Sequence, residues 1–322
     1  MGSGREPGGG RTEPAPPFAE ALRSGPVDAA RAFYALLREE VTEGNPALAS
    51  EEQRALRGHY PVMLDPGRYP PGLAAAIYAG RRAHPVRAIM GTEDPVVLDA
   101  GCGFGSESFL FAAAGAKVLA VDISEEQIAI ASKRRLFWEE TLGRSLDVEF
   151  EVADLEGYLP DRGDVSLTWL ASVLAAIRDQ EGLVRRIRDR TRPGGCVMVT
   201  DMNLLNPLFA IEEWRRRQRG KRSSREFSRE ADFVAMFLRR GRMGARFYPQ
   251  DGERGLFDDV QFFWHRSLSR LLRGAGFAPE APWFFGFVPP FLFRESLVVL
   301  ERLLAEGPVR AGNGLFLSCD RG

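Results

Sequence analysis

Three glycines at alternate positions, Gly101, Gly103 and Gly105, follow the apolar run Val96-Val97-Leu98-Asp99-Ala100 and lead into a helical stretch that opens with Ser106. A buried strand that turns into a helix through such a loop brings bare main chain within van der Waals reach of a ligand, because a Cβ there would occupy the ligand's space. The helix N-terminus adds amide donors and partial positive charge. The spacing selects among ligands. A dinucleotide fingerprint reads G-x-G-x-x-G, whereas here the third glycine arrives one residue early and Ser106 stands where that pattern wants glycine. A P-loop would need Gly-Lys followed by Ser or Thr, which this loop lacks. The preferred ligand is a nucleoside without a pyrophosphate.

Further groups with chemistry to offer lie beyond this loop. A second apolar run, Val118-Leu119-Ala120-Val121, ends in Asp122 and Ile123, which places a carboxylate 17 residues after Gly105. An acidic side chain there accepts both hydroxyls of a ribose in charge-assisted bonds. Ser124 and Gln127 form a capping box that starts the next helix and holds Asp122 at a strand end. A third carboxylate, Asp154, follows Val152-Ala153, where it could accept the adenine amino group while Leu155 covers the ring. His265, between Trp264 and Arg266, is a candidate base, since a neutral imidazole titrates near working pH. The competing reading is a histidine buried among aromatics. His59 and His84 lie in the N-terminal segment and are ranked behind it.

The elements that must position these groups read as an α/β protein. From Pro95 short apolar runs alternate with helical segments, the pattern of βαβ units and a parallel sheet. Strands are expected at 96–100, 117–122, 147–152, 164–169 and 196–201, with a last one at 315–319; helices are expected at 107–114, 125–141 and 181–190, and the alternation resumes at 267–272 and around Gly276 and Phe277. Residues 1–26 are dominated by Gly, Pro, Arg and Glu and are expected to form a disordered tail. Residues 27–90 read as a helical cap, and 204–262 as an Arg-rich, partly helical insertion that interrupts a main domain spanning 91–322. Cap and insertion are expected to close over the strand C-termini and define the second substrate.

Composition narrows the partners. Lys plus Arg (43) nearly cancels Asp plus Glu (44), so no global field draws the chain to nucleic acid or an anionic surface. The basic run from Arg215 to Arg225 is flanked by Glu212, Glu213, Glu226 and Glu230 and reads as a solvated helix face rather than an RNA track. Three widely spaced cysteines, Cys102, Cys196 and Cys319, show neither a disulfide nor a zinc pattern, so no metal is expected and a reducing, cytoplasmic setting fits. No apolar segment approaches the roughly 20 residues that span a bilayer, and no signal peptide is expected. The aromatic stretch Trp283–Phe293 reads as core, with an acceptor pocket, a dimer seam or a membrane-touching patch as its other readings.

At Asp99 to Gly105, D-x-G-C-G-x-G, and at Asp122 and Asp154, the chain resembles the class I S-adenosylmethionine-dependent methyltransferases. The resemblance covers 96–201 well and 263–319 loosely. It implies a Rossmann-like, seven-stranded, mostly parallel sheet with helices on both faces and one reversed strand in a C-terminal hairpin. It also implies Asp99, Gly101, Cys102, Gly103 and Gly105 around the methionine part of the cofactor, Asp122 with Ile123 at the ribose, Asp154 with Leu155 at the adenine, and a loop after strand four, here Trp169 and Leu170, beneath the cofactor. A turn at Arg192-Pro193-Gly194-Gly195 should precede the fifth strand. Quinone-type members carry a His pair after strand four, where this chain has Ala175-Ala176-Ile177. The implied function is O-methylation of a small-molecule acceptor of natural-product, lipid-linked or glycan type, with RNA methylation or a non-catalytic binding role as alternatives; the oligomeric state stays open.

Overall fold

Val96–Ala100 and Lys117–Asp122 are apolar on both faces, which suits strands buried between two helical layers. They form β1 and β2 in the computed structural model, which describes residues 18–66, 70–161, 163–203, 242–245, 260–263, 265–285 and 314–321. β3 (Val148–Val152), β4 (Val165–Ala171) and β5 (Thr191–Met202) continue the parallel sheet. A hairpin closes it, with β8 (Phe277–Pro279), β9 (Trp283–Phe285) and the reversed strand β10 (Gly314–Arg321). The order is β3-β2-β1-β4-β5-β10-β8, and β9 extends the outermost position along β10. The seven expected positions are therefore present, the sixth strand being broken at Glu280-Ala281-Pro282, where a proline cannot donate to the ladder.

The crossover helices are α6 (Ser106–Ala113), α7 (Glu125–Leu142), α8 (Gln180–Arg190) and α9 (His265–Gly274). α6 and α7 bury one face of the sheet, around Val97, Val118, Leu167 and Trp169. α8 and α9 bury the other, around Leu98, Val121, Leu170 and Val199. Cofactor-side residues thus emerge at the C-terminal edge of β1, β2, β4 and β5, where the topology switches direction.

The N-terminal segment supplies α1 (Phe18–Ser24), α2 (Pro26–Glu43), α3 (Ser50–His59), α4 (Pro61–Leu64) and α5 (Pro71–Met90). α2 and α5 share one core with α6, α7 and the sheet, since Phe33, Leu37, Val86 and Ile89 cluster with Phe109, Trp138 and Val97. Phe33 stacks on Trp138 with ring centroids 4.4 Å apart. This part of the segment is built into a helical layer, and His59 and Tyr60 at the end of α3 reach Phe104 of the glycine loop and Ser106 after it.

Three expectations change. The tail gives way at Phe18 to a helix, because Phe18 and Ala21 bury against α2 and Phe18 meets Phe33 edge-on; residues 1–17 lie outside the described residues. The described part of the insertion is a two-stranded antiparallel ribbon, β6 (Arg242–Ala245) with β7 (Val260–Phe263), in which Val260, Phe262 and Phe263 of β7 are of types that favour strand. The Arg-rich run 215–225 and residues 286–293 of the aromatic stretch lie outside the described residues. Lastly, β5 begins at Thr191, and the turn at 192–195 survives as a register shift within it. Among the described residues no helix is long and apolar enough to cross a membrane, and no group of His, Cys, Asp or Glu could hold a metal ion.

Candidate cofactor-binding site

The glycine loop owes its shape to its glycines. Gly101, Gly103 and Gly105 have φ of 78°, 55° and 77°, the left-handed region in which a side chain costs roughly 1–2 kcal/mol. The N–H groups of Gly101 and Cys102 both donate to the Val121 carbonyl, at 2.7 and 3.0 Å, and tie the loop to the end of β2. A Cβ at position 101 would lie 2.2 Å from Val173 Cγ2, and one at 105 would lie 2.9 Å from the Phe150 ring. The space these glycines protect thus belongs largely to protein neighbours, which corrects the expectation that a ligand fills it. At Gly103 the nearest neighbour is Gln127 Oε1 at 3.1 Å.

Asp122 is half-buried and joins two loops. One carboxylate oxygen accepts the Gly103 N–H at 2.8 Å and the other accepts the Ser124 N–H at 2.9 Å. The capping box is therefore half made: Ser124 Oγ accepts the Gln127 N–H at 3.3 Å, while the Ser124 N–H goes to Asp122. A carboxylate offers about four lone-pair sites, so Asp122 keeps capacity for a ligand's hydroxyls. Beside it Ile123 is 46% exposed, an apolar side chain of the kind that flanks a ribose or a base.

Asp99 lies beneath the loop, buried and accepting the Ser108 hydroxyl at 2.6 Å. Burial pushes its carboxyl up to about 8 against the hydrogen bond from Ser108, with the Glu107 and Asp122 charges adding to the rise. Cys102 is buried next to it and its thiol is likewise raised, chiefly by burial. Cys102, Cys196 and Cys319 are all free.

A buried ion pair supports the loop from the α7 side. The Arg134 guanidinium donates to both oxygens of Glu40 in α2, at 2.8 and 2.5 Å, and neither side chain is exposed. The same guanidinium donates to the Phe104 carbonyl and, at 3.0 Å, to Ser106 Oγ. Trp138 and Asn45 donate the remaining bonds to Glu40. From the other side the Tyr60 hydroxyl bonds Ser106 Oγ at 2.6 Å, and Arg82 of α5, stacked over the Tyr78 ring, pairs with Glu107. Burial raises Glu107, but Arg82 and Arg81 outweigh it and hold the carboxyl below its ordinary value.

The other expected residues are spread around this centre. Asp154 is exposed at the end of β3, with one carboxylate oxygen accepting the Glu156 N–H at 2.9 Å in a local turn. Leu155 is buried in the α8 and α9 core. Trp169 and Leu170 point to opposite faces of the sheet, Trp169 edge-on to Phe111 and Leu170 in the other core. The loop after β4 begins at Ser172-Val173, with Ser172 at φ 59° and Val173 against Gly101. That correction follows from strand alternation, which sends neighbouring side chains to opposite faces. His265 is buried at the start of α9, its ring edge-on to Phe284 at 5.9 Å, the surroundings of a core imidazole. Glu40, Arg134 and Glu107 went unremarked in the sequence; a Glu and an Arg 94 positions apart carry no local signal.

Residues 92–237 match the family model described as a methyltransferase domain. Over 106 residues the chain is 32% identical to phosphoethanolamine N-methyltransferase 1 of Triticum aestivum, covering 33% of this chain and 20% of that protein. Over 119 residues it is 33% identical to the ubiquinone biosynthesis O-methyltransferase of Bordetella avium (strain 197N), covering 36% of this chain and 46% of that one. A SAM-dependent methyltransferase from Methanosarcina mazei superposes with a TM-score of 0.48 at 18% identity, over 71% of this chain and 93% of that chain. The likeness to methyltransferases is thus carried by residues 92–237, somewhat under half of the chain. The chain spans between about a fifth and a half of the curated relatives it matches.

Proposed function

We propose that the chain transfers a methyl group from S-adenosylmethionine to a small-molecule acceptor. The observation that carries this reading is Asp122, fixed at the end of β2 by the Gly103 and Ser124 amides and beside the exposed Ile123. The residues fit the cofactor: three left-handed glycines set the course of the loop beside Asp122, that carboxylate keeps lone pairs for a sugar's hydroxyls, and an apolar side chain flanks it. When bound, the cofactor supplies a methyl on a positively charged sulfur, already a good leaving group. The protein's own work is to align, to exclude water and, where the acceptor requires it, to remove a proton.

In this reading Asp122 holds the ribose, Ile123, Asp154 and Leu155 border the adenine, and the main chain of Gly101 to Gly105 with Ala171–Val173 borders the methionine part. The named relatives act in one case at nitrogen and in the other at oxygen, and we favour oxygen, with a natural-product, lipid-linked or glycan-type acceptor. The Ala175-Ala176-Ile177 stretch points away from a quinone. The three free cysteines fit a cytoplasmic setting. Incubation with methyl-labelled S-adenosylmethionine and fractions of a deproteinised cell extract tests the proposal: label should enter a small molecule identifiable by mass. Label entering only RNA or protein refutes the acceptor class.

A further inference from the structure

We propose that His59 is the general base of the reaction, facing the acceptor across the glycine loop. This rests on the cofactor reading of the site.

His59 closes α3, and its ring lies edge-on to Phe104 within the loop, with centroids 5.1 Å apart, and to Tyr60 at 4.7 Å. Tyr60 in turn is bonded to Ser106 at the first position of α6, so the imidazole is anchored to the cradle through both neighbours. His59 keeps a solvent-accessible edge but is partly enclosed, and four elements bring charged groups near it: Glu107 on α6, Arg134 on α7, Arg82 on α5 and Asp122 at the end of β2. The ring thus sits against Phe104 of the glycine loop, near charged groups of four elements. The contrast with His265 is direct, since that ring is 7% exposed and packs on Phe284.

The chemistry is consistent with the place. Burial among these elements, with Arg134 and Arg82, outweighs the pull of Glu107 and Asp122 and holds the imidazole below its ordinary value. The ring is therefore neutral near pH 7 and ready to accept. In the step, an imidazole nitrogen takes the proton of the acceptor's hydroxyl or amine, whose electron pair forms the bond to the methyl carbon. The carbon–sulfur bond breaks with its pair going to sulfur, which becomes a neutral thioether, and the imidazolium returns its proton to solvent.

The test uses His59→Gln and His265→Gln in the full chain, the labelled-methyl extract assay across pH, and calorimetry with adenosylhomocysteine. Base catalysis contributes on the order of 10²-fold or more, so His59→Gln should lower the rate about 100-fold and abolish the acid limb of the profile. Adenosylhomocysteine affinity should stay within about threefold. His265→Gln should keep the acid limb. An independent readout needs no turnover: in the free protein the His59 resonances, among only three histidines, should titrate below 6.5. The proposal is overturned if His59→Gln keeps the wild-type rate and acid limb, or if His59 titrates above 7. Absence of adenosylhomocysteine heat in the wild type would instead strike the cofactor reading.

Discussion

Replacing Glu40 by Gln removes one charge from a pair in which neither side chain reaches solvent. Arg134 would then remain buried with its charge uncompensated, although its bonds to the Phe104 carbonyl and Ser106 persist. Breaking a buried pair from one side costs about 3–5 kcal/mol. Glu40 also accepts from Trp138 and Asn45, and an amide oxygen replaces only part of that capacity. For a domain of this size 1 kcal/mol corresponds to about 2–4 °C, so the melting temperature should fall by roughly 10 °C. The loop should loosen as well, because Arg134 holds the Phe104 carbonyl between Gly103 and Gly105. Thermal unfolding followed by circular dichroism, with and without adenosylhomocysteine, reads both effects. The double variant Glu40→Gln with Arg134→Met should recover part of the lost stability, since no unpaired charge is left. A single variant that melts within about 1 °C of the wild type would refute the reasoning.

Gly101→Ala should abolish adenosylhomocysteine binding, as its Cβ would meet Val173 Cγ2 at 2.2 Å in a left-handed conformation; adding Val173→Ala should restore the fold but only part of the affinity, measured by calorimetry. Asp99 is raised to about 8, so its contribution is complete below the unfolded carboxyl value and is lost as pH rises through the folded one. The ligand-free protein should therefore lose stability, on the order of a few kcal/mol, between about pH 4 and 8, and Asp99→Asn should flatten that slope in urea titrations. Neutralising Arg215, Arg216, Arg217 and Arg219 should leave methyl incorporation into small molecules unchanged. Salt-sensitive RNA retention lost in that variant would move the acceptor to RNA.

The sequence disclosed what depends on near neighbours. β1 and β2 are continuous apolar runs bounded by turn signals, and their limits came out as read, while Gly101 to Gly105 and Asp122 follow at strand ends. It was silent where distant segments meet. Glu40 looks like any acidic residue of a helix until α2 packs against α7, and Tyr60 bonds Ser106 across 46 positions. Trp169 and Leu170 were read as the loop after β4, but they lie within the strand, which runs on to Ala171. His59 ranked behind His265 in sequence because it lies in the N-terminal segment; in the structure His265 is the buried one of the two.

The most direct check is calorimetric titration of adenosylhomocysteine into the wild-type protein and into Asp122→Ala. The account predicts saturable heat for the first and at least tenfold weaker binding for the second, since losing hydrogen bonds to a charged group costs about 1.5–3 kcal/mol each. No heat from the wild type, or equal affinity in both, would contradict it.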